Sequence, residues 1–147
     1  MAESETLLLV VPELRRRTDF VEALGGSGWR VLQAPTAGIA LTRCQRERPR
    51  IVVTDVVLPG IPGVDIARAL RVCAGDAPLV ILGLLPQCFA DSDVAAAALS
   101  FDRLLHEPLH ADILVRSVLE AQVAAAIASR TRAVRSVRSV DPVVYAS

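Results

Sequence analysis

The sequence predicts a doubly wound α/β fold: a five-stranded parallel sheet flanked by five helices, with an extended C-terminal helix or tail. Three observations carry this. Short apolar runs and helix-length amphipathic stretches alternate five times along the chain, the pattern of strand–helix units wound onto one sheet. The runs at Leu7 to Val11, Ile51 to Val53 and Leu79 to Leu82 are apolar throughout instead of alternating with polar residues, as strands covered on both faces must be. Pro and Gly punctuate the boundaries between them.

Thr6 to Val11 is the first strand, ended by Pro12. Leu14 to Leu24 reads as a helix whose apolar face holds Leu14, Phe20, Val21 and Leu24. Gly25-Gly26-Ser27-Gly28 stops it. Trp29 to Gln33 is the second strand, and Thr36 caps a helix running to about Glu47. Ile51 to Asp55 is the third strand and the stretch around which the chain is organised. Four strand-favouring residues run into a carboxylate, and Leu58-Pro59-Gly60-Ile61-Pro62-Gly63 turns the chain. In an open parallel sheet the ligand crevice lies outside the carboxyl ends of the strands, so Asp55 marks where chemistry is expected.

Gly63 to Cys73 is a helix that packs through Val64, Ile66, Ala67 and Leu70, and Leu79 to Leu82 is the fourth strand. Asp91 to Leu99 makes a short Ala-rich helix. Arg103 to Leu105 is a short fifth strand, broken by Pro108. Ala111 opens a long helix that reaches Ala128 or beyond. From Arg132 to Val140, Arg and Val recur every three residues, a period that drifts around an α-helix. A partly ordered extension is the expectation there.

A chain of 147 residues with 52% hydrophobic content builds one domain with a real core. No run approaches the roughly 18 apolar residues a membrane span needs. The N-terminus is acidic and its apolar run is too short for a signal peptide, so a cytoplasmic protein is expected. Cys44, Cys73 and Cys88 are odd in number and lack metal-ligand spacing, which favours plain reduced thiols. All sixteen basic residues are Arg. Residues 1–120 carry 12 Arg against 15 acids, and residues 121–147 carry 4 Arg against one. Arg130, Arg132, Arg135 and Arg138 could touch a nucleic acid or an acidic surface, but no aromatic or helix-turn-helix signal accompanies them, and nucleic acid is not the expected partner. Thr54, Ser92 and Ser100 show no Ser-His-Asp logic, His106 has no partner nearby in sequence, and neither Gly cluster matches a nucleotide fingerprint. No enzyme is expected.

Val10-Val11-Pro12-Glu13, the segment from Asp55 to Gly63, Pro78-Leu79-Val80-Ile81-Leu82-Gly83 and His106-Glu107-Pro108-Leu109 occur in order at suitable intervals. Together they resemble the receiver domain of two-component response regulators, the CheY-like fold. On that resemblance residues 1–125 form a receiver-like domain and residues 126–147 a helical extension or basic tail. The resemblance implies that Asp55 stands at the phosphoacceptor position. Two acids that would hold Mg²⁺ fall on Pro12 and Glu13, leaving Glu13 and Asp55 as the ligands if Mg²⁺ binds at all. The switch hydroxyl falls on Gly83, and the Lys that answers the phosphoryl group falls on Glu107, ahead of a Pro that the family joins through a cis peptide. The aromatic of the fifth strand has become Leu104 or Leu105.

These departures set the expected function. A phosphoryl group brings roughly −1.5 to −2 charges, with Glu13 and Glu107 already nearby and no Lys in the chain. Unit charges about 4 Å apart interact by roughly 4 kcal/mol at an effective dielectric near 20, so exchanging attraction for repulsion suppresses phosphorylation strongly. The pocket is expected to be too negative, and too short of donors, to hold a second anion. Glu13 equally suits the start of a helix, and Glu107 suits a loop acid or a partner for an Arg. The expected protein is an atypical receiver that acts through protein–protein contact, with no cofactor or weak Mg²⁺. A phosphorylatable receiver using Asp55 is the alternative. A sensor kinase or downstream signalling protein is the implied partner. Val94 to Leu99, Ile113, Leu114, Val118, Leu119, Val123 and Ile127 make the last helices apolar. Ile113, Leu114 and Val118 read as core-facing, whereas Val123 and Ile127 overrun the sheet and suggest a homodimer interface.

Overall fold

The computed structural model describes the backbone of residues 5–87 and 91–146, and the side chains of these apart from residues 63, 64, 91–94, 96 and 132–146. The elements in order are β1 (Thr6–Val10), α1 (Leu14–Gly26), β2 (Arg30–Ala34), α2 (Ala37–Glu47), β3 (Ile51–Asp55), α3 (Gly63–Ala74), β4 (Val80–Leu85), α4 (Asp91–Ser100), β5 (Arg103–His106) and α5 (Ala111–Ala146). The strands form one parallel sheet in the order β2-β1-β3-β4-β5. The predicted doubly wound architecture is the observed one.

Side chains on successive strand residues point to opposite faces, and the core divides accordingly. Leu8, Val10, Val52 and Ile81 pack with Ile66 and Leu70 of α3 and with Phe101. Leu7, Leu9, Ile51, Val53, Leu82 and Leu84 pack on the other face with Phe20 and Leu24 of α1 and Leu114 and Val118 of α5. Arg71 ties the end of α3 to the segments that lead into β4 and β5. Its guanidinium donates to the carbonyls of Leu79 (3.2 Å) and Ser100 (3.3 Å) and to Asp102 Oδ2 (3.0 Å). The same Asp102 oxygen accepts from the Ile81 backbone N–H at 2.7 Å. These contacts fix β4 and β5 where the site needs them.

Three differences from the sequence reading have physical reasons. Leu14 is exposed, not part of the α1 core face. It is the first residue after the Glu13 cap, and the core face begins two steps on. β4 continues past Leu82 to Leu85, because Leu84 and Leu85 still pair with Leu105 and His106. Ile113 is exposed, whereas Leu114 and Val118 are buried as expected; on a 3.6-residue repeat, positions 114, 117, 118 and 121 claim the sheet-facing arc. Beyond Ala121, the last buried residue of α5 among those described, the helix leaves the sheet and runs on to Ala146. Thirty-six residues at about 1.5 Å each make it about 54 Å long. Among the described residues no helix is long and apolar enough to cross a membrane. Cys44 and Cys73 are free thiols. Cys88 and the side chains of Val94, Arg132, Arg135 and Arg138 lie outside the described residues.

Candidate functional site

The carboxyl ends of β1, β3 and β5 bring three acids to one edge of the sheet. Asp55 is the last residue of β3, Glu107 follows β5, and Glu13 lies just beyond β1. Thr54 pairs with Gly83 and Asp55 with Leu84 across β3–β4, and Leu85 pairs with His106 across β4–β5. The Glu107-Pro108 peptide is cis.

Glu13 is the N-cap of α1. Its Oε1 accepts from the Arg15 N–H at 3.1 Å and its Oε2 from the Arg16 N–H at 2.9 Å, satisfying donors that a helix start leaves orphaned. Arg17 anchors the same turn from behind, donating to the Val11 carbonyl (2.8 Å) and the Pro12 carbonyl (3.2 Å).

Arg16 fills the centre of the site. Its Nη1 donates to Asp55 Oδ2 at 3.0 Å and its Nη2 to Asp55 Oδ1 at 2.9 Å, the two-pronged geometry that guanidinium and carboxylate share. Nη2 also donates to Glu107 Oε1. Glu107 uses its other oxygen to accept from the Leu109 N–H at 3.0 Å. A cation in the first turn of a helix opposes the helix dipole, so local helix energetics do not favour Arg16; the two carboxylates do. Its guanidinium carbon also lies 5.8 Å from the centre of the Phe20 ring, one turn further along.

The cluster is largely shielded: side-chain exposure is 33% for Arg16, 14% for Asp55 and 20% for Glu107. The Asp55 hydrogen bond, foremost, pushes the Arg16 pKa well above its usual value, against the opposing effect of burial. For Asp55 burial is the largest effect and raises its pKa; Arg16 pulls it down, and Glu107 and Glu13 push it up again. The net direction is up. The ion pair therefore does not fully offset the removal of this carboxylate from water, a common balance for shielded charges.

This has a consequence for stability. A carboxyl that binds its proton more tightly when folded stabilises the native state fully below the unfolded value of 3.8, and that contribution is lost as pH rises through the higher folded value. Asp55→Asn keeps the shape and cannot ionise. Urea denaturation of both proteins across acidic pH should show wild type and variant converging at the lowest pH. The wild type then falls behind as pH climbs from 3.8 upward. A wild type that gains on the variant over that range would contradict the balance described here.

Beside the clamp lies a hollow of about 360 Å³, bordered by Arg16, Asp55, Val57, Leu84, Glu107 and Pro108. No protein-family model matches the sequence. Over 66 residues it is 35% identical to the transcriptional regulatory protein AfsQ1 of Streptomyces coelicolor, a match that takes in 45% of this chain and 29% of that protein. The chain thus matches less than a third of that relative's length. Among solved structures, a CheY-like receiver domain protein from Methanospirillum hungatei superposes with a TM-score of 0.75 at 17% identity, covering 84% of this chain and 98% of the other. The chemotaxis response regulator CheY4 of Vibrio cholerae superposes with a TM-score of 0.70 at 19% identity, covering 81% and 99%. The chain has the receiver fold of response regulators.

In a receiver the acid pair after β1 would supply oxygen ligands to Mg²⁺. Here Pro12 has no side-chain oxygen, both Glu13 oxygens cap α1, and both Asp55 oxygens hold Arg16. The donor set does not fit the metal. No group of three or more His, Cys, Asp or Glu able to hold a metal occurs among the described residues.

The receiver's hydroxyl position, Gly83, is closed by its neighbours. A Cβ there would stand 2.8 Å from Val56 Cγ2 and 3.0 Å from both Leu104 Cδ2 and Phe101 Cδ1. Leu104, not Leu105, is therefore the fifth-strand residue that faces this position, and it pairs with Gly83 in register. His106 is exposed, as expected of a surface imidazole.

The expectation of a pocket too negative and too short of donors needs correction. Glu107 does reverse the charge of the family's Lys, but Arg16 supplies a cation from the opposite side of the site. Sequence reasoning missed it because Arg16 lies 39 residues from Asp55 and 91 from Glu107. One signal was available: Arg16, Phe20 and Leu24 are spaced by four, so Arg16 shares the helix face of two buried residues.

Proposed function

We propose that the chain acts in two-component-type signal transduction through protein–protein contact, without conventional transfer of a phosphoryl group to Asp55. The observation that supports this reading is the Arg16 clamp. Both oxygens of the would-be nucleophile already accept from a guanidinium, and that guanidinium is shared with Glu107. To answer a phosphoryl group Arg16 would have to leave Glu107, stranding a shielded carboxylate. One cation would then face the phosphoryl charge plus Glu13 and Glu107. Mg²⁺ binding is weak on this reading, for want of free oxygen ligands.

The proposed partners are a sensor kinase or a downstream signalling protein, and a second copy of the chain. Val123 and Ile127 stand on α5 beyond the sheet, 50% and 60% exposed, and support the homodimer.

Incubation with acetyl phosphate, or with beryllofluoride and Mg²⁺, followed by intact mass or NMR, tests the central claim. Unmodified protein and an unshifted Asp55 environment are expected. A stable adduct on Asp55 would establish the other reading, in which the adjoining hollow receives the phosphoryl group and Arg16 stabilises it.

A further inference from the structure

We propose, resting on the homodimer reading above, that two copies pair through α5 in antiparallel register, with Val123 of one protomer opposite Ile127 of its partner. Positions 113, 116, 120, 123 and 127 follow the alternating spacing of three and four that keeps residues on one stripe of a helix. Ile113, Val123 and Ile127 are 43%, 50% and 60% exposed, and the stripe lies clear of the arc that Leu114, Ser117, Val118 and Ala121 bury. Glu120, within it, pairs with Arg103 of β5 at 2.7 Å. The same spacing runs on through the helix to positions 130, 134 and 137, which the sequence fills with Arg, Val and Val.

A two-fold axis between residues 123 and 127 makes this stripe complementary to itself, as an isologous interface requires. Val123 then meets Ile127 and Glu120 meets Arg130, each contact occurring twice. A parallel pair would instead set Arg116 on Arg116, Glu120 on Glu120 and Arg130 on Arg130, and like charges brought face to face are repulsive. The length of α5 agrees. Residue 139 comes level with residue 111, so the extension of one protomer covers the sheet-packed part of its partner's helix. The charges agree as well: a tail with 4 Arg against one acid lies along a body with 12 Arg against 15 acids.

Light scattering on the full chain, followed by disulfide trapping, tests this. Glu120→Cys and Arg130→Cys are made separately, oxidised alone and as a mixture, and the joined cysteines identified by peptide mapping. That mapping keeps Cys44, Cys73 and Cys88 apart from the result. A dimer is expected, with the 120–130 crosslink dominant in the mixture and absent from either variant alone. A charge reversal adds a second readout: Glu120→Arg and Arg130→Glu each weaken the dimer, and the double variant restores it. A dimer that traps 120 to 120, or traps neither pair, overturns the register and leaves the homodimer standing. A monomer at every concentration overturns both.

Discussion

Arg16→Ala should destabilise the protein by roughly 2–3 kcal/mol. Removing one partner from a fully buried ion pair costs about 3–5 kcal/mol, because the other charge is left without an answer. Arg16 is a third exposed, and water screens what it leaves behind, so the smaller figure applies. Two carboxylates lose their cation at once, which keeps the effect well above the 0–1 kcal/mol typical of a surface pair. Arg16→Lys should recover part of the loss but not all, since an ammonium cannot bind both Asp55 oxygens in the fork geometry. The sharper comparison is Arg16→Ala combined with Glu107→Lys. That pair moves the cation from α1 to the loop after β5, the place the receiver family uses. If the site needs one positive charge and is indifferent to its origin, the double variant is more stable than Arg16→Ala alone. Urea midpoints of the four proteins decide it, and equal midpoints for the two Ala-containing proteins would mean the cation is not what holds these carboxylates.

Gly83→Thr should cost roughly 1–3 kcal/mol, the usual penalty for forcing extra atoms into a packed interior. The sign is informative because strand propensity predicts the opposite. A β-branched residue replacing Gly within a strand gains up to about 1 kcal/mol where there is room. Here Val56 and Phe101 are buried and cannot swing out to solvent, and Leu104 presses from β5. Leu104→Ala in the Gly83→Thr background removes one of the three contacts and should restore part of the stability. A Gly83→Thr protein at least as stable as wild type would show that the neighbouring chains yield easily, and that the missing hydroxyl is a substitution without a packing reason.

These two residues mark the division between what sequence could and could not reveal. The resemblance to receiver domains placed Glu13 and Glu107, whereas apolar runs, Pro and Gly punctuation and the strand-end carboxylate were sufficient for the sheet, its order of elements and the position of Asp55. All of those depend on local pattern. The identity of the group that answers Asp55 does not. Arg15, Arg16 and Arg17 are adjacent and chemically identical in sequence, and a step of about 100° per residue sends each a different way. Arg17 turns to the carbonyls of Val11 and Pro12, and Arg16 turns to the acids. Gly83 was legible as an absent hydroxyl, yet the reason for its size lies in side chains from three other segments. Ile113 was read as core-facing with Leu114 and Val118 because that part of the helix lies along the sheet, whereas its own position on the helix turns it outward.

The cap at the start of α1 makes two changes inseparable. Glu13 holds the N–H of Arg16 itself, so the acid that could have served a metal is instead committed to aiming the guanidinium that answers Asp55. Freeing Glu13 to bind a cation would loosen the first turn of α1 and with it the aim of the guanidinium. Building metal-dependent chemistry here by exchanging one side chain at a time would therefore disturb the Arg16 clamp at its first step. Such a change would have to rebuild the connection between Val11 and Arg17 as a unit.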